Sequence, residues 1–210
     1  MIDNYNDLTI EKYQQIKAVI DGNEVEEYAT NIQLVSILSD MDEDEVGNLP
    51  LTEYKKMNEK LVFLMSEPPR RMVADKYKLG NYTLETMLAV DKMTVSQYVD
   101  YQTFIKDLDK YLVEMLSIFL IPKGCKYNEG YDIMDVQKVI RENLSIVDAM
   151  SLSAFFLLWY QSLTKATLTC LIKKLKKMKK KMKEKEEIAK MEEAIANLER
   201  SGDGLHLLIG

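Results

Sequence analysis

Residues 144–165 read LSIVDAMSLSAFFLLWYQSLTK, and this stretch decides the predicted fold. It carries no charge from residue 149 to residue 164 and is apolar nearly all round a helix, which is typical of a helix buried in a bundle. A membrane-spanning helix needs about 20 predominantly apolar residues, and this run is shorter and diluted by Ser, Gln and Thr. We therefore predict a core helix, although the lysines that follow would also suit the cytoplasmic flank of a membrane segment.

The amphipathic pattern that follows allows the same helix to continue to about residue 200, and it leaves open whether that helix is continuous. Apolar residues recur at alternating steps of three and four, as in a coiled coil, but the repeat loses phase where Lys185 occupies a seam position. Any coiled coil is therefore short or interrupted. We predict that this seam, and the apolar tail beyond residues 201–204, bind a partner through Leu175, Met178, Met182, Ile188, Met191, Ile195, Leu198, Leu205, Leu207 and Leu208.

Before residue 144, apolar residues at helical spacing predict most of the remaining elements. The chain breakers Pro68-Pro69 and Pro122-Lys123-Gly124 separate these elements. Gly80-Asn81 suits a tight turn and predicts one hairpin. The predicted helices span residues 8–20, 24–39, 52–67, 94–120 and 133–142. Thr9 is expected to cap the first of these helices and Thr94 the fourth, in which Tyr98 and Tyr101 are expected to face inward.

The predicted fold class is therefore mainly α. It is a helical bundle with one small β-hairpin near 77–88 and a long C-terminal helix. The predicted parts are a helical domain at 1–165, a Lys-rich amphipathic arm at 166–200 and a tail at 201–210.

Charge is distributed unevenly along the chain, although the net charge is only −6. Residues 1–60 contain fourteen acidic residues against five lysines, whereas residues 173–185 contain nine lysines and one glutamate. Such poles attract each other within one molecule or between subunits, and salt weakens the attraction. The alternative is that both are solvated faces.

The acidic run at residues 40–45 has part of a calcium-binding pattern. Asp40, Asp42 and Asp44 have the alternate spacing of the first three EF-hand ligands. The sixth position should be Gly and is Glu45, and the twelfth should be Glu and is Leu51. We therefore predict a solvated loop between helices and no metal site.

The sequence lacks the common motifs that carry catalytic residues. His206 is the single histidine, Cys125 and Cys170 form no CxxC pair, and the chain contains no GxGxxG, P-loop or GxSxG motif. We predict a protein that is not an enzyme and binds no cofactor. The N-terminus lacks a basic segment followed by an apolar core, so we expect no secretory signal.

The Lys-rich run KKLKKMKKKMKEK at 173–185 has two interpretations. One is a patch for nucleic acid or an anionic membrane, because Lys neutralises phosphates without base specificity. The other is a solvated helical arm whose apolar side faces a partner helix, which the absence of Arg and of interleaved aromatic residues favours. The candidate anionic-surface residues are Lys173, Lys174, Lys176, Lys177, Lys179, Lys180, Lys181 and Lys183.

Five segments form a recognisable pattern between roughly residues 8 and 165. They are LTIEKYQQI (8–16), LPL (49–51), YKLGNYTLETML (77–88), MTVSQYVDYQTFI (93–105) and LSIFLIPKGCKYNEGYDIMDVQKVIRENLSIVDAMSLSAFF (116–156). Together these degenerate motifs resemble virion-morphogenesis proteins of tailed phages, in particular tail-assembly-chaperone-like proteins of crAss-like and related phages of gut Bacteroidales.

The resemblance implies a helical protein without catalytic residues that acts by binding other phage structural proteins. It would work in the host cytoplasm as an assembly chaperone, or remain in the virion as a structural component. The charge poles separately allow a homo-oligomer. The implied contact loop contains Lys126, Tyr127, Asn128, Gly130 and Tyr131. The alternative is that its tyrosines pack on the preceding helix and keep only their hydroxyls in water.

Overall fold

The structure, a computed structural model, describes residues 1–22, 27–89, 92–179 and 185–204. It is mainly helical with a small antiparallel sheet of order β1-β2-β3, so the predicted fold class is confirmed. The strands are Lys76–Leu79 (β1), Tyr82–Thr86 (β2) and Leu120–Pro122 (β3). The helices are Ile10–Asp21 (α1), Glu27–Ser39 (α2), Glu43–Gly47 (α3), Leu51–Glu59 (α4), Val95–Phe104 (α5), Leu108–Phe119 (α6), Ile133–Asn143 (α7), Ile146–Lys179 (α8) and Lys185–Gly204 (α9).

The chain forms two compact units, Met1–Ser153 and Ala154–Gly210. The first unit contains the sheet, α1 to α7 and the start of α8. The second contains the rest of α8 and α9.

Helix α1 begins as its sequence predicts. The hydroxyl of Thr9 accepts the backbone N–H of Lys12 at 3.4 Å, which satisfies one of the open donors of the first turn. Ile10 and Ile16 are buried on the inner face. The backbone next to this cap also meets the start of α8, because the N–H of Ile146 donates to the carbonyl of Leu8 at 2.7 Å.

The acidic run is not entirely a loop, which corrects the prediction for residues 40–45. Residues 43–47 form α3, because Glu45 accepts the backbone N–H of Asp42 at 3.0 Å and closes a capping box. Val46 on this short helix is buried, while the acidic side chains around it are exposed.

The third predicted helix is shorter than expected. Helix α4 ends at Glu59, and residues 60–65 follow as a 3₁₀ helix. Tyr5 fixes the end of this segment, since its ring meets Phe63 edge-on at 4.9 Å and its hydroxyl donates to the carbonyl of Ser66 at 2.5 Å. Pro68-Pro69 then disfavours helical backbone immediately before it.

The predicted hairpin is confirmed and gains a third strand. Leu79 pairs with Tyr82 across Gly80-Asn81, and Gly80 has φ of +52°, a conformation that suits glycine. Strand β3, which the sequence analysis assigned to the end of a helix, pairs antiparallel with β2.

The predicted helix at 94–120 is wrong as a single element. It divides into α5 and α6, because the carboxylate of Asp107 accepts the N–H of Lys110 at 3.2 Å and starts a new helix. Thr94 does cap α5, and its hydroxyl accepts the N–H of Gln97 at 3.2 Å. Beyond Phe119 the backbone becomes extended to pair with β2.

The C-terminal helical region, whose continuity the sequence left open, is divided into α8 and α9. Lys176 on α8 and Glu199 on α9 form an ion pair at 2.8 Å. A single straight helix would hold residues 23 positions apart at about 34 Å. Helices α8 and α9 therefore lie side by side as a helical hairpin, and the long helix that is present is α8, with 34 residues.

By length and composition alone, the stretch Ile146–Met178 of α8 could span a membrane. About half of its most apolar window, 47%, is buried, and a core helix of a soluble protein meets the same criterion. Ile146, Val147, Ala149 and Leu152 at its start are buried within the first unit.

Candidate functional site

The predicted contact loop lies between β3 and α7 and is compact. Its backbone turns sharply at Gly124, Asn128 and Gly130, which all have positive φ. The N–H of Glu129 donates to the carbonyl of Lys126 at 2.9 Å and closes a tight turn. Lys126 and Asn128 are exposed, so the loop presents a cation and an amide to solvent.

The two tyrosines hold this loop in place. Tyr127 donates from its hydroxyl to the carboxylate of Asp100 on α5 at 2.8 Å, and the hydroxyl of Tyr131 accepts the N–H of Asn128 at 3.3 Å. Burial raises the pKa of both tyrosines, and the bond to Asp100 raises that of Tyr127 further. Tyr127 thus bonds α5 through the hydroxyl that the alternative interpretation left in water, and Tyr131 bonds within the loop, while Lys126 and Asn128 remain exposed.

Helix α5, against which the loop is fixed, carries exposed apolar residues. Val95 is 81% exposed, Val99 is 55% exposed and Tyr98 is 40% exposed. Their spacing of three and four residues puts them on one face of the helix. Single exposed apolar residues are ordinary, but a row on one face is typical of a contact surface.

The inner face of α5 is defined by Gln97 and Tyr101. The amide of Gln97 donates to the carbonyl of Ile118 at 3.1 Å, and the Tyr101 ring meets Phe119 edge-on at 5.4 Å. The prediction that Tyr98 faces inward is therefore wrong, whereas Tyr101 does face inward. The capping box of Thr94 with Gln97 was the sequence signal that could have set the phase of this helix.

We use the name α5–loop surface for the apolar row Val95, Tyr98 and Val99 together with the loop 126–131. The Tyr127–Asp100 hydrogen bond fixes the loop to α5, on the flank of the helix about 100° round from Val99 and therefore beside the apolar row. The arrangement combines an apolar row with exposed polar groups, as protein-binding surfaces do. Sequence analysis identified the loop but missed the apolar row.

The second candidate region is the α8–α9 hairpin. Ile195 is buried at 7% exposure, Leu175, Met191 and Leu198 are half-buried, and Met178 is 48% exposed. Leu171, on the same side of α8 as Met178, is 43% exposed. The seam residues whose side chains the structure describes thus share one hairpin, and part of the seam on α8 remains open.

The lysines of α8 that the structure describes lie on its surface. Lys173, Lys174, Lys176 and Lys177 are all exposed, and Lys176 bonds Glu199. Several predicted site residues lie outside the described residues or have side chains outside them; these are Lys179, Lys180, Lys181, Met182, Lys183, Ile188, Leu205, Leu207 and Leu208.

Within the described parts of the chain, no group of three or more His, Cys, Asp or Glu residues could hold a metal ion. Cys125 and Cys170 are free thiols, and the Sγ of Cys125 donates to the carbonyl of Gly130 at 3.7 Å. The contacts of this loop are therefore those of a folded turn.

The chain was compared with protein-family models, curated proteins and solved structures. None of the three comparisons found a match.

Proposed function

We propose that this chain is a non-enzymatic protein of phage virion morphogenesis that binds other virion proteins through its α5–loop surface. It acts as an assembly chaperone or stays in the virion as a structural component. The observation that carries the proposal is the apolar row Val95, Tyr98 and Val99 beside a loop that Tyr127 fixes to the same helix.

The geometry of this surface lets this chain bind a partner at a small cost in its own conformational entropy. An aromatic ring and two branched side chains on a helix lose little conformational entropy when a partner covers them. The loop is already held by hydrogen bonds, so ordering it on binding costs little. The phage context of the proposal comes from the resemblance of residues 8–165 to morphogenesis proteins.

A direct binding experiment tests this surface. Two purified proteins are immobilised: the wild type and a double variant with Val95→Glu and Val99→Glu. Each is exposed to disassembled virion proteins of a phage that encodes the chain. We expect one or a few virion proteins to bind the wild type, with the double variant at least about tenfold weaker, because two carboxylates would then lie in the apolar contact.

A matched control is Leu51→Glu, which adds a carboxylate at another exposed apolar position of the first unit. The proposed site predicts that this control binds like the wild type. Equal binding by all three proteins would exclude the α5–loop surface, and no binding of virion proteins by the wild type would contradict the proposed function.

A second candidate function is the binding of nucleic acid or an anionic membrane through α8, which the exposure of Lys173, Lys174 and Lys177 favours. Changing Lys176, Lys177, Lys179, Lys180 and Lys181 to Gln tests it. Loss of binding to duplex DNA or to phosphatidylserine vesicles, with virion-protein binding intact, would support this candidate.

A further inference from the structure

The α8–α9 hairpin exposes apolar surface that a two-helix unit cannot bury. From Thr164 to Arg200, Ile195 is the one buried apolar residue among the described side chains. Leu171 and Met178, seven residues apart on one side of α8, remain 43% and 48% exposed. The apolar pattern of the two helices thus exceeds what their mutual contact covers.

The position of the open residues shows which side of the hairpin lacks a neighbour. On a helical projection, Lys176 lies on one flank of the α8 seam, toward Glu199 of α9. Leu171 and Met178 lie on the opposite flank of the same seam. A further helix placed there would cover both without displacing α9.

The two helices of the hairpin carry opposite net charges. Residues 165–179 of α8 contain six lysines and no acidic residue. Helix α9 contains six acidic residues against three basic ones. The Lys176–Glu199 ion pair joins these opposite charges within one chain.

We infer that the α8–α9 hairpin is a dimerisation element, in which Leu171 and Met178 pack against the hairpin of a second copy to form a four-helix bundle. In such a bundle each helix has two neighbours. A two-fold axis that puts α8 of one copy beside α9 of the other gives every basic helix two acidic neighbours and keeps the two α8 helices apart. The hairpin is therefore complementary in charge to a second copy of itself.

A second copy fits these observations better than a lipid surface or nucleic acid. An anionic surface would attract α8 but repel α9, which carries Glu192, Glu193 and Glu199 next to it. A second hairpin offers both charges and an apolar row of matching length. This inference does not depend on the proposed function, because it concerns the second unit and not the α5–loop surface.

Light scattering on the full chain tests the dimer. At concentrations on the order of 10 µM we expect the wild type to have twice the 24.3 kDa mass of one chain. Leu171→Glu and Met178→Glu, combined, should weaken dimerisation at least about a hundredfold, since each places a carboxylate in the bundle core. Circular dichroism checks that this variant stays helical, and the Val95→Glu, Val99→Glu protein is the control that should remain dimeric.

Cross-linking of isotope-labelled with unlabelled chains tests the arrangement. A carbodiimide joins Lys to Glu only where they touch, so we expect mixed-isotope links between α8 of one chain and α9 of the other. Lys174, the exposed lysine beside the Leu171–Met178 flank, should supply the α8 side of these links. A monomeric wild type, a dimeric double variant, or mixed links confined to other surfaces would overturn the inference. A monomer that binds phosphatidylserine vesicles or duplex DNA would overturn it in favour of an anionic partner.

Discussion

Arg71 connects an irregular segment of the first unit to the first turn of α8. Its Nε donates to the carboxylate of Asp148 at 2.6 Å, a second N–H of the guanidinium also bonds that carboxylate, and its backbone N–H donates to Ser151 at 2.9 Å. Asp148 is buried, whereas about half of the Arg71 side chain is exposed. The hydrogen bond and the charge of Asp148 raise the pKa of Arg71.

Removing this guanidinium should destabilise the first unit. Arg71→Ala leaves the buried Asp148 carboxylate without its cation, and we expect the free energy of unfolding to fall by about 2 kcal/mol. The loss is smaller than for a fully buried pair because solvent reaches Arg71. Urea unfolding measures it. Arg70→Ala, at the exposed neighbouring position, should change stability by less than about 0.5 kcal/mol, and equal losses from the two variants would contradict this role.

Tyr127 should make the first unit sensitive to alkaline pH. Burial and the hydrogen bond to Asp100 raise its folded-state pKa above the ordinary 10.0. Above pH 10 the unfolded chain releases this proton while the folded chain keeps it, so stability is full below that pH and falls as pH rises further.

The variant Tyr127→Phe isolates this effect. We expect it to lose about 1 kcal/mol at neutral pH with the hydroxyl bond, and to show a shallower fall in stability above pH 10 than the wild type. Part of the fall should remain, because burial also raises the pKa of Tyr77 and Tyr131. Urea unfolding across an alkaline pH series measures both slopes, and identical slopes would exclude Tyr127 as a contributor.

The hairpin turn supplies a prediction at the scale of an element. Gly80 has φ of +52°, and a Cβ there would meet Val139 only at 4.0 Å, so backbone strain and not a clash sets the effect of a side chain. Gly80→Ala should cost about 1 kcal/mol of stability. Gly47→Ala in α3 is the matched control: its Cβ would meet nothing within 4 Å, and we expect a gain of about 0.5 kcal/mol. Thermal unfolding measures the stability of both variants, and a gain in stability from Gly80→Ala would contradict the turn geometry.

The elements that sequence analysis predicted well are those with strong local signals. Thr9 and Thr94 each stand before an apolar repeat and do cap helices, and Gly80-Asn81 forms the predicted turn. Elements that depend on distant contacts were missed. Strand β3 exists because residues 120–122 pair with β2, more than thirty positions earlier in the chain, and Asp107 interrupts a repeat that continues apolar on both sides.

The candidate site was predicted in part for the same reason. Lys126 to Tyr131 stand out in the sequence as a loop rich in Gly, Tyr and Asn. The exposed row on α5 does not, because this helix has apolar residues on both faces and only the tertiary contacts of Gln97 and Tyr101 choose the inner one. The sequence left the division between α8 and α9 open, because the apolar repeat changes phase there without a Pro or Gly.

Charge separation acts at the scale of the whole molecule. The basic residues of α8 and the acidic residues of α9 should make the proposed dimer sensitive to salt. Raising ionic strength from about 0.1 M to about 1 M shortens the Debye length from about 10 Å to about 3 Å, so we expect the dissociation constant to rise several-fold. Sedimentation equilibrium measures it, and a dimer strengthened by salt would mean that apolar contact alone drives association.

The central claim, that this chain is a binding protein of virion assembly, is tested most directly by quantitative mass spectrometry of purified virions and of infected-cell lysate from a phage that encodes it. We expect this chain to be present at a constant ratio to a known structural protein. A virion component would show that ratio in purified virions, and a chaperone would show it in assembly intermediates alone. A chain that is abundant in the lysate but present in neither virions nor intermediates would contradict the claim.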